Sequence, residues 1–183
     1  MRIIKGIKVI VFVFLFIVIN LLLSYLLVKA NGPSEVMWKD FRKTEKIDTV
    51  YLGSSFSQMT FNPYIIDEAT GWSSFNMGTP GQPLDQTKEA LTAAIQEKKI
   101  KRAVLVFGIP SLELIQNANA RATFARARKY GCSPLEKLRL DWRFVTDSEN
   151  FNAEASLTYF FPWTYNSVDW KRKTISENLK IKR

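Results

Sequence analysis

The sequence predicts an α/β protein with a parallel sheet, incomplete at the C-terminus and preceded by one transmembrane helix. Two observations carry this prediction. Twenty residues from Val9 to Val28 are almost all apolar, and about 20 such residues cross a hydrocarbon core of ~30 Å. Further along, three short β-type runs alternate with helical patterns within about sixty residues, which is typical of a parallel sheet flanked by helices.

The apolar run is predicted to be an uncleaved signal-anchor helix occupying residues 1–30. Only Asn20, Ser24 and Tyr25 interrupt it. The alternative is a cleaved signal peptide, since Val28-Lys29-Ala30 resembles a small-residue cleavage site. A typical signal peptide has a shorter apolar region and no lysine within its cleavage site, so the anchor is preferred.

Basic residues around the run predict its orientation. Arg2, Lys5 and Lys8 precede it, and such residues stay in the cytoplasm under the positive-inside rule. Bases that follow the run, such as Lys29 and Lys39, favour the opposite orientation. Because the short flank of the first helix usually dominates, we predict a single-pass protein of the cell membrane whose soluble domain is extracytoplasmic.

The composition restricts which partners the protein can bind and which catalytic or metal-binding groups it can contain. The formal charge is +9, an excess of bases that suits anionic lipid headgroups or an anionic envelope polymer. A membrane anchor makes nucleic acid the poorer interpretation. Cys132 is the single cysteine and histidine is absent, which removes disulfides, the commonest metal ligands and the commonest general base. The sequence therefore predicts no metal and no cofactor.

The rest of the chain is predicted to be a linker at 31–46 and one partial α/β domain at 47–183. The segment Asn31-Gly32-Pro33-Ser34 ends the first helix. The patterns predict three strands, at 47–52, 73–77 and 102–107. They predict helices at 62–69, 84–97, 134–140 and 168–182 and helical segments within 112–130. A turn is predicted at 54–59 and an aromatic loop at 160–170. The continuous apolar strand at 102–107 is expected to be buried on both faces.

Three loops follow the predicted strands, and ligands bind at this edge of open parallel sheets. They are Gly53-Ser54-Ser55-Phe56, Gly78-Thr79-Pro80-Gly81 and Gly108-Ile109-Pro110-Ser111. Gly and Pro here also suit ordinary turns between strand and helix, and for the third loop this interpretation is preferred.

These segments resemble the SGNH (GDSL-type) hydrolase superfamily, in particular its membrane-anchored bacterial members. The resemblance rests on Leu52-Gly53-Ser54-Ser55 after the first strand, on Phe61-Asn62-Pro63, and on the segment from Phe75 to Gln82 with its Asn-x-Gly-x-x-Gly pattern. It covers about residues 47–110, and Phe160 to Thr164 is similar to later parts of those proteins.

The resemblance implies a three-layer flavodoxin-like fold and an ester hydrolase or acyltransferase acting on cell-envelope glycans or polymers. Ser55 matches the family's nucleophile, which attacks an acyl carbonyl once a base removes its proton. Gly81 matches the glycine whose backbone N–H helps to form the oxyanion hole, together with the N–H of Ser55.

Two departures from the family weaken catalysis. Pro110 stands in the third loop, where the family has an Asn donor, and neither Asn117 nor Asn119 aligns clearly with that donor. The family's Asp-x-x-His is missing, although Asp141, Asp147 and Asp169 are present. The chain by itself is therefore expected to have little or no activity. Either it is a fragment of an enzyme, which is preferred, or it is a short, non-catalytic binding module.

Other groups have simpler interpretations. The pair Asp67-Glu68 is expected on a helix surface, because adjacent helical residues do not face each other. Basic residues are concentrated in one region and suit a solvated face or a polyanion site: Arg121, Arg126, Arg128, Lys129, Lys137, Arg139 and Arg143. An aromatic group suits packing better than a carbohydrate platform: Phe160, Phe161, Trp163, Tyr165 and Trp170. A purely structural membrane partner is the third functional class.

Overall fold

The computed structural model describes residues 2–28, 32–108, 118–147 and 152–164. They belong to two compact units, of which one contains the N-terminal helix together with the described residues from Ala153 onward. The other unit runs from 31 to 152. The chain is a mixed α/β protein with a three-stranded parallel sheet, as predicted. The helices, in chain order, are α1 Arg2–Leu27, α2 Pro33–Lys43, α3 Ser55–Thr60, α4 Pro63–Thr70, α5 Leu84–Glu97, α6 Ala118–Ala127, α7 Pro134–Thr146 and α8 Ala153–Phe160.

Helix α1 contains the predicted membrane span. Its segment Lys5–Leu27 is long and apolar enough to cross a membrane. Large side chains along it, among them Phe12 and Leu21, are exposed, which suits a helix whose partner is lipid. The helix is a candidate membrane span by its length and composition, and a signal sequence has the same two properties.

Asn20 breaks the apolar character of α1, and its side-chain amide is hydrogen-bonded at both ends. Its Nδ2 donates to the carbonyl of Phe160, 3.1 Å away, and its Oδ1 accepts from the indole N–H of Trp163 at 2.7 Å. The ring of Phe16, one turn earlier, meets Phe161 edge-on at 5.7 Å. The aromatic segment predicted to be a loop therefore packs against α1, and its described part is the end of α8 and a 3₁₀ turn at Pro162–Thr164.

The segment 31–46, predicted to be a linker, lies in the compact unit that runs from 31 to 152 and contains helix α2. Pro33 begins α2, since proline is favoured at the first helical position. The residues Met37, Trp38 and Phe41 of α2 are buried in the main hydrophobic core. Their i, i+1, i+4 spacing places them on one helix face, a pattern too short for the sequence analysis to separate from a linker.

The sheet has the order β2-β1-β3 and every pairing is parallel. β1 (Thr49–Gly53) is buried along its whole length between β2 (Ser74–Asn76) and β3 (Arg102–Val106). Tyr51 of β1 aligns with Asn76 on one side and with Val104 on the other. The three carboxyl ends therefore meet at one edge of the sheet, which is where the predicted site residues follow.

β3 does not have the burial that its apolar sequence predicts. Leu105 is 47% exposed, and Phe107 just beyond the strand is also exposed. Among the described strands, β3 borders only β1, so it is an edge strand of the described sheet. A run of apolar residues specifies a strand well, but the number of elements packed around it is a property of the tertiary structure.

The helices follow the predicted pattern most closely in the middle of the chain. α4 and α5 have nearly the predicted bounds, and Ala90, Ala93 and Ala94 of α5 pack into the core with Val50 and Leu52 of β1. Elsewhere the helices differ from the prediction: the predicted turn at 54–59 is the short helix α3, and α7 continues to residue 146 instead of ending at 140. The local patterns also do not predict α2 and α8. The predicted helix at 168–182 lies outside the described residues.

Candidate functional site

Ser55 is the first residue of α3 and lies immediately beyond the carboxyl end of β1. The turn between them needs Gly53, whose φ of 139° lies in a region that favours glycine. A Cβ on Gly53 would also collide with the carbonyl oxygen of Val106 in β3. Ser54, at the N-cap, is buried, whereas Ser55 is half-buried. The local backbone thus brings Ser55 to the end of the central strand.

The Ser55 hydroxyl has no hydrogen-bond partner among the residues that the structure describes. A serine nucleophile needs a neighbouring base to take its proton, and histidine is absent from the sequence. Asp67 does not serve, because both of its carboxylate oxygens accept from the backbone N–H of Ser74 and one also accepts from the Ser74 hydroxyl at 2.6 Å. Asp141 forms an ion pair with Lys129.

Asn76, the last residue of β2, connects the loop after its own strand to α3. Its Nδ2 donates to the carbonyls of Ser57 and Phe61, each 2.9 Å away. Its Oδ1 accepts from the backbone N–H of Gly78 at 2.9 Å and lies 3.4 Å from the Ser57 hydroxyl. One side chain therefore holds the middle and the C-terminal end of α3 against the start of the loop that carries Gly81.

Gly78 allows the same two segments to approach each other closely. A Cβ at this position would lie 2.9 Å from the Gln58 nitrogen and 2.9 Å from the Ser57 Cβ, both closer than real side chains permit. The next residue, Thr79, donates its backbone N–H to the carbonyl of Gly53 at 3.3 Å. The loops after β1 and β2 are consequently in direct contact.

Gly81 lies farther along this loop and is required for a different reason. Its φ is 65°, the left-handed conformation, while the space around a Cβ there is open to beyond 4 Å. The buried side chain of Gln82 fixes the loop, since its Oε1 accepts from the Thr79 hydroxyl at 2.7 Å and its Nε2 donates to the Thr87 hydroxyl at 3.2 Å. A substrate atom could approach the backbone at Gly81 without meeting a side chain.

The third loop begins beside the first. A Cβ on Gly108 would lie 2.9 Å from the ring of Phe56, the residue after Ser55. Pro110, Ser111 and Asn117 lie outside the described residues. Asn119 is buried in the first turn of α6. All three glycine-containing loops therefore start at one edge of the sheet, while the assignment of Ser55 and Gly81 as catalytic residues stays a prediction.

Much of the predicted basic region is used in ion pairs within the fold. Arg126 pairs with Glu35 at 3.4 Å, Arg128 with Glu89, and Lys129 with Asp141 at 2.8 Å. These pairs link α6 and the turn after it to α2, α5 and α7. They favour a structural interpretation over a polyanion site for this half of the region.

A separate cavity of about 160 Å³ is lined by several arginines and by the single cysteine. Arg42 and Arg128 line one part of it, and Arg139 and Arg143 of α7 another. Burial raises the pKa of the Cys132 thiol, so this thiol is not an activated nucleophile. Within the described residues no cluster of His, Cys, Asp or Glu side chains could hold a metal ion.

No family model, curated protein or solved structure matches the chain. Its functional interpretation therefore depends on the residues and geometry described above. At the candidate site the sequence analysis missed the structural role of Asn76, although its signal, the Asn-x-Gly spacing to Gly78, is part of the pattern that carries the resemblance.

Proposed function

We propose that the chain is a membrane-anchored, extracytoplasmic SGNH-like protein related to ester hydrolases and acyltransferases of cell-envelope glycans or polymers. One observation carries the proposal: Asn76 bonds α3, which begins at Ser55, to the loop that contains Gly81. The flavodoxin-like family fold is part of the same proposal, and the three parallel strands in the order β2-β1-β3 support it.

In this proposal Ser55 attacks the carbonyl carbon of an ester, and its proton passes to a base as the alcohol leaves with a proton in return. The negative charge that develops on the carbonyl oxygen is stabilised by the backbone N–H groups of Ser55 and Gly81. Loss of one such donor costs ~2.7–4 kcal/mol of transition-state stabilisation. The left-handed backbone conformation of Gly81, which favours glycine, supports the match to the family's glycine.

No described residue is placed to act as the base for Ser55. Histidine is absent, and the described residues provide no hydrogen-bond partner for the Ser55 hydroxyl. We therefore expect little or no activity from the chain by itself. Added imidazole should partly replace the missing base, because it can take the proton from Ser55 if the loops are correctly arranged.

Imidazole rescue tests the proposal on the full chain in detergent micelles. Hydrolysis of p-nitrophenyl acetate should rise with imidazole concentration above the background of imidazole alone, and Ser55→Ala should abolish this rise. Ser34→Ala, which changes a serine in α2 remote from the loops, is the matched control and should behave like wild type. An equal rise in Ser55→Ala would overturn the assignment of Ser55. Stoichiometric labelling of wild type by a fluorophosphonate without imidazole would contradict the predicted inactivity.

The absence of histidine also favours a second candidate, a membrane-tethered binding module that uses the same loops to hold an acylated glycan. Such a module would bind an O-acetylated glycan oligomer without turnover. Titration calorimetry distinguishes the two candidates: the module binds the oligomer but shows no Ser55-dependent rescue by imidazole.

A further inference from the structure

Helix α7 (Pro134–Thr146) packs onto its unit through a narrow inner face. Phe144 is buried, while Leu140 and Asp141 are half-buried. The helix is well defined at its start, where Ser133 and Glu136 form a reciprocal capping box and Pro134 occupies the first turn. α7 is thus a stable helix of which most of the circumference faces outward.

The outward side of α7 is apolar. Four side chains form what we call the outer stripe: Leu135, Leu138, Trp142 and Val145. Their spacing of three, four and three residues places them on one helix face. Leu138 is 65% exposed and Trp142 is 71% exposed. Soluble surfaces rarely present so continuous an apolar stripe, and where they do it marks a protein or membrane contact.

Two arginines border the outer stripe on one side. Arg139 and Arg143 form no ion pair with a described residue, unlike the nearby Arg126 and Arg128. Together with Leu138 and Trp142 they line an open groove of about 510 Å³. An apolar stripe containing tryptophan and bordered by free cations is the pattern of a helix that lies in the interface of a membrane.

We infer that α7 is an interfacial helix that binds the surface of an anionic lipid bilayer. The outer stripe enters the boundary between headgroups and acyl chains, Trp142 lies at headgroup level, and Arg139 and Arg143 bind phosphate groups of anionic lipids. This site is separate from the loops around Ser55. The inference rests on the membrane anchoring in the proposed function and is independent of its hydrolase chemistry.

Two observations favour lipid over a second copy of the chain. Five residues separate Leu27, the end of the apolar helix, from Pro33, the start of the folded unit, and five residues span at most ~18 Å. If α1 crosses a membrane, the unit that carries α7 is therefore held near its surface. In an antiparallel pair of α7 helices, by contrast, the two arginine rows would lie on the same side of the apolar contact and repel each other.

The test places an environment-sensitive label on the outer stripe of the full chain. In a Cys132→Ser background, Leu138→Cys is labelled with the fluorophore NBD and reconstituted into nanodiscs. Met59→Cys is the matched control, because Met59 is an exposed apolar residue of α3 rather than α7. With phosphatidylglycerol present, the label at position 138 should shift to the blue and brighten severalfold, and lipid that carries a nitroxide spin label on its headgroup should quench it. The label at position 59 should keep the emission of a fluorophore in water.

The charge reversal Arg139→Glu with Arg143→Glu should abolish the shift, as should phosphatidylcholine alone, and circular dichroism checks that the variant is folded. Emission at position 138 equal to that at position 59 in all lipids would overturn the inference. A shift that persists in the double variant would overturn the assignment to anionic lipid. A blue shift in detergent accompanied by a dimer in sedimentation analysis would assign the stripe to a second copy of the chain.

Discussion

At the residue scale, Asn76 has the most consequential position in the candidate site. Its amide makes three hydrogen bonds of 2.9 Å to backbone groups of two different segments. No other residue type of this size offers two donors and an acceptor in the same plane. Ser55 begins one of these segments, and Gly81 lies farther along the other.

We predict that Asn76→Ala destabilises the folded unit by at least about 2 kcal/mol, since each half-buried backbone group left without a partner costs ~1–3 kcal/mol. Imidazole-dependent activity should disappear with it. Denaturant unfolding in a mild detergent measures the free energy of unfolding. Asn62→Ala is the matched control, because Asn62 only caps α4 through the N–H of Tyr64 and should cost ~1 kcal/mol. A larger loss for Asn62→Ala than for Asn76→Ala would contradict the role given to Asn76.

At the element scale, β1 and β3 show that the position of a strand in the sheet determines how much the same side chain contributes to stability. Leu52 and Leu105 are aligned in register on neighbouring parallel strands. Leu52 is fully buried in the core, whereas Leu105 is about half exposed. The apolar area that each residue removes from water therefore differs greatly.

We predict that Leu52→Ala lowers the free energy of unfolding by ~2–5 kcal/mol, the usual cost of emptying a core leucine site. Leu105→Ala should cost less than half as much, because water already reaches its side chain. The same denaturant titration compares the two variants directly. Equal losses would mean that β3 is covered as completely as β1, and would contradict its position as an edge strand.

At the scale of the whole molecule, the chain forms two units, and one of them combines segments that are far apart in sequence. Residues from Ala153 to Thr164 belong with α1, and Asn20 is hydrogen-bonded to Phe160 and Trp163. A polar amide inside an apolar helix needs such partners, because lipid offers none. This arrangement explains how an asparagine is tolerated in the middle of the predicted span.

We predict that the N-terminus is cytoplasmic and that the chain beyond α1 lies outside, because Arg2, Lys5 and Lys8 precede the span. Alkaline phosphatase fused after Arg183, which is active only outside the cytoplasm, should be active in bacterial cells. Green fluorescent protein fused at the same position should be dark, because it is exported in an unfolded state. Replacing all three bases by glutamine should reduce phosphatase activity. A bright fluorescent fusion with an inactive phosphatase would establish the opposite orientation.

The sequence predicts elements best where a local pattern is strong. The strands near 47–52, 73–77 and 102–107 and the helix at 84–97 have clear periodicity or apolar runs, and each is present. The sequence does not predict helix α2, because Gly32-Pro33 also suits a loop. Only the burial of Trp38 and Phe41 shows that this segment belongs to the core. The length of α7 and the exposure of β3 likewise depend on neighbours that a local pattern does not identify.

By itself, the sequence determined the apolar N-terminal helix, the alternation of strands and helices, and the absence of a histidine base. These are properties of composition and short-range order, which the chain carries whatever its tertiary structure. Only the packed structure shows that Asn76 connects α3 to the loop after β2 and that α7 presents an apolar stripe. The same is true of the hydrogen bonds from Asn20 to Phe160 and Trp163, which lie 140 and 143 positions farther along the chain. Each of these depends on contacts between distant segments, and such contacts exist only once the chain has packed.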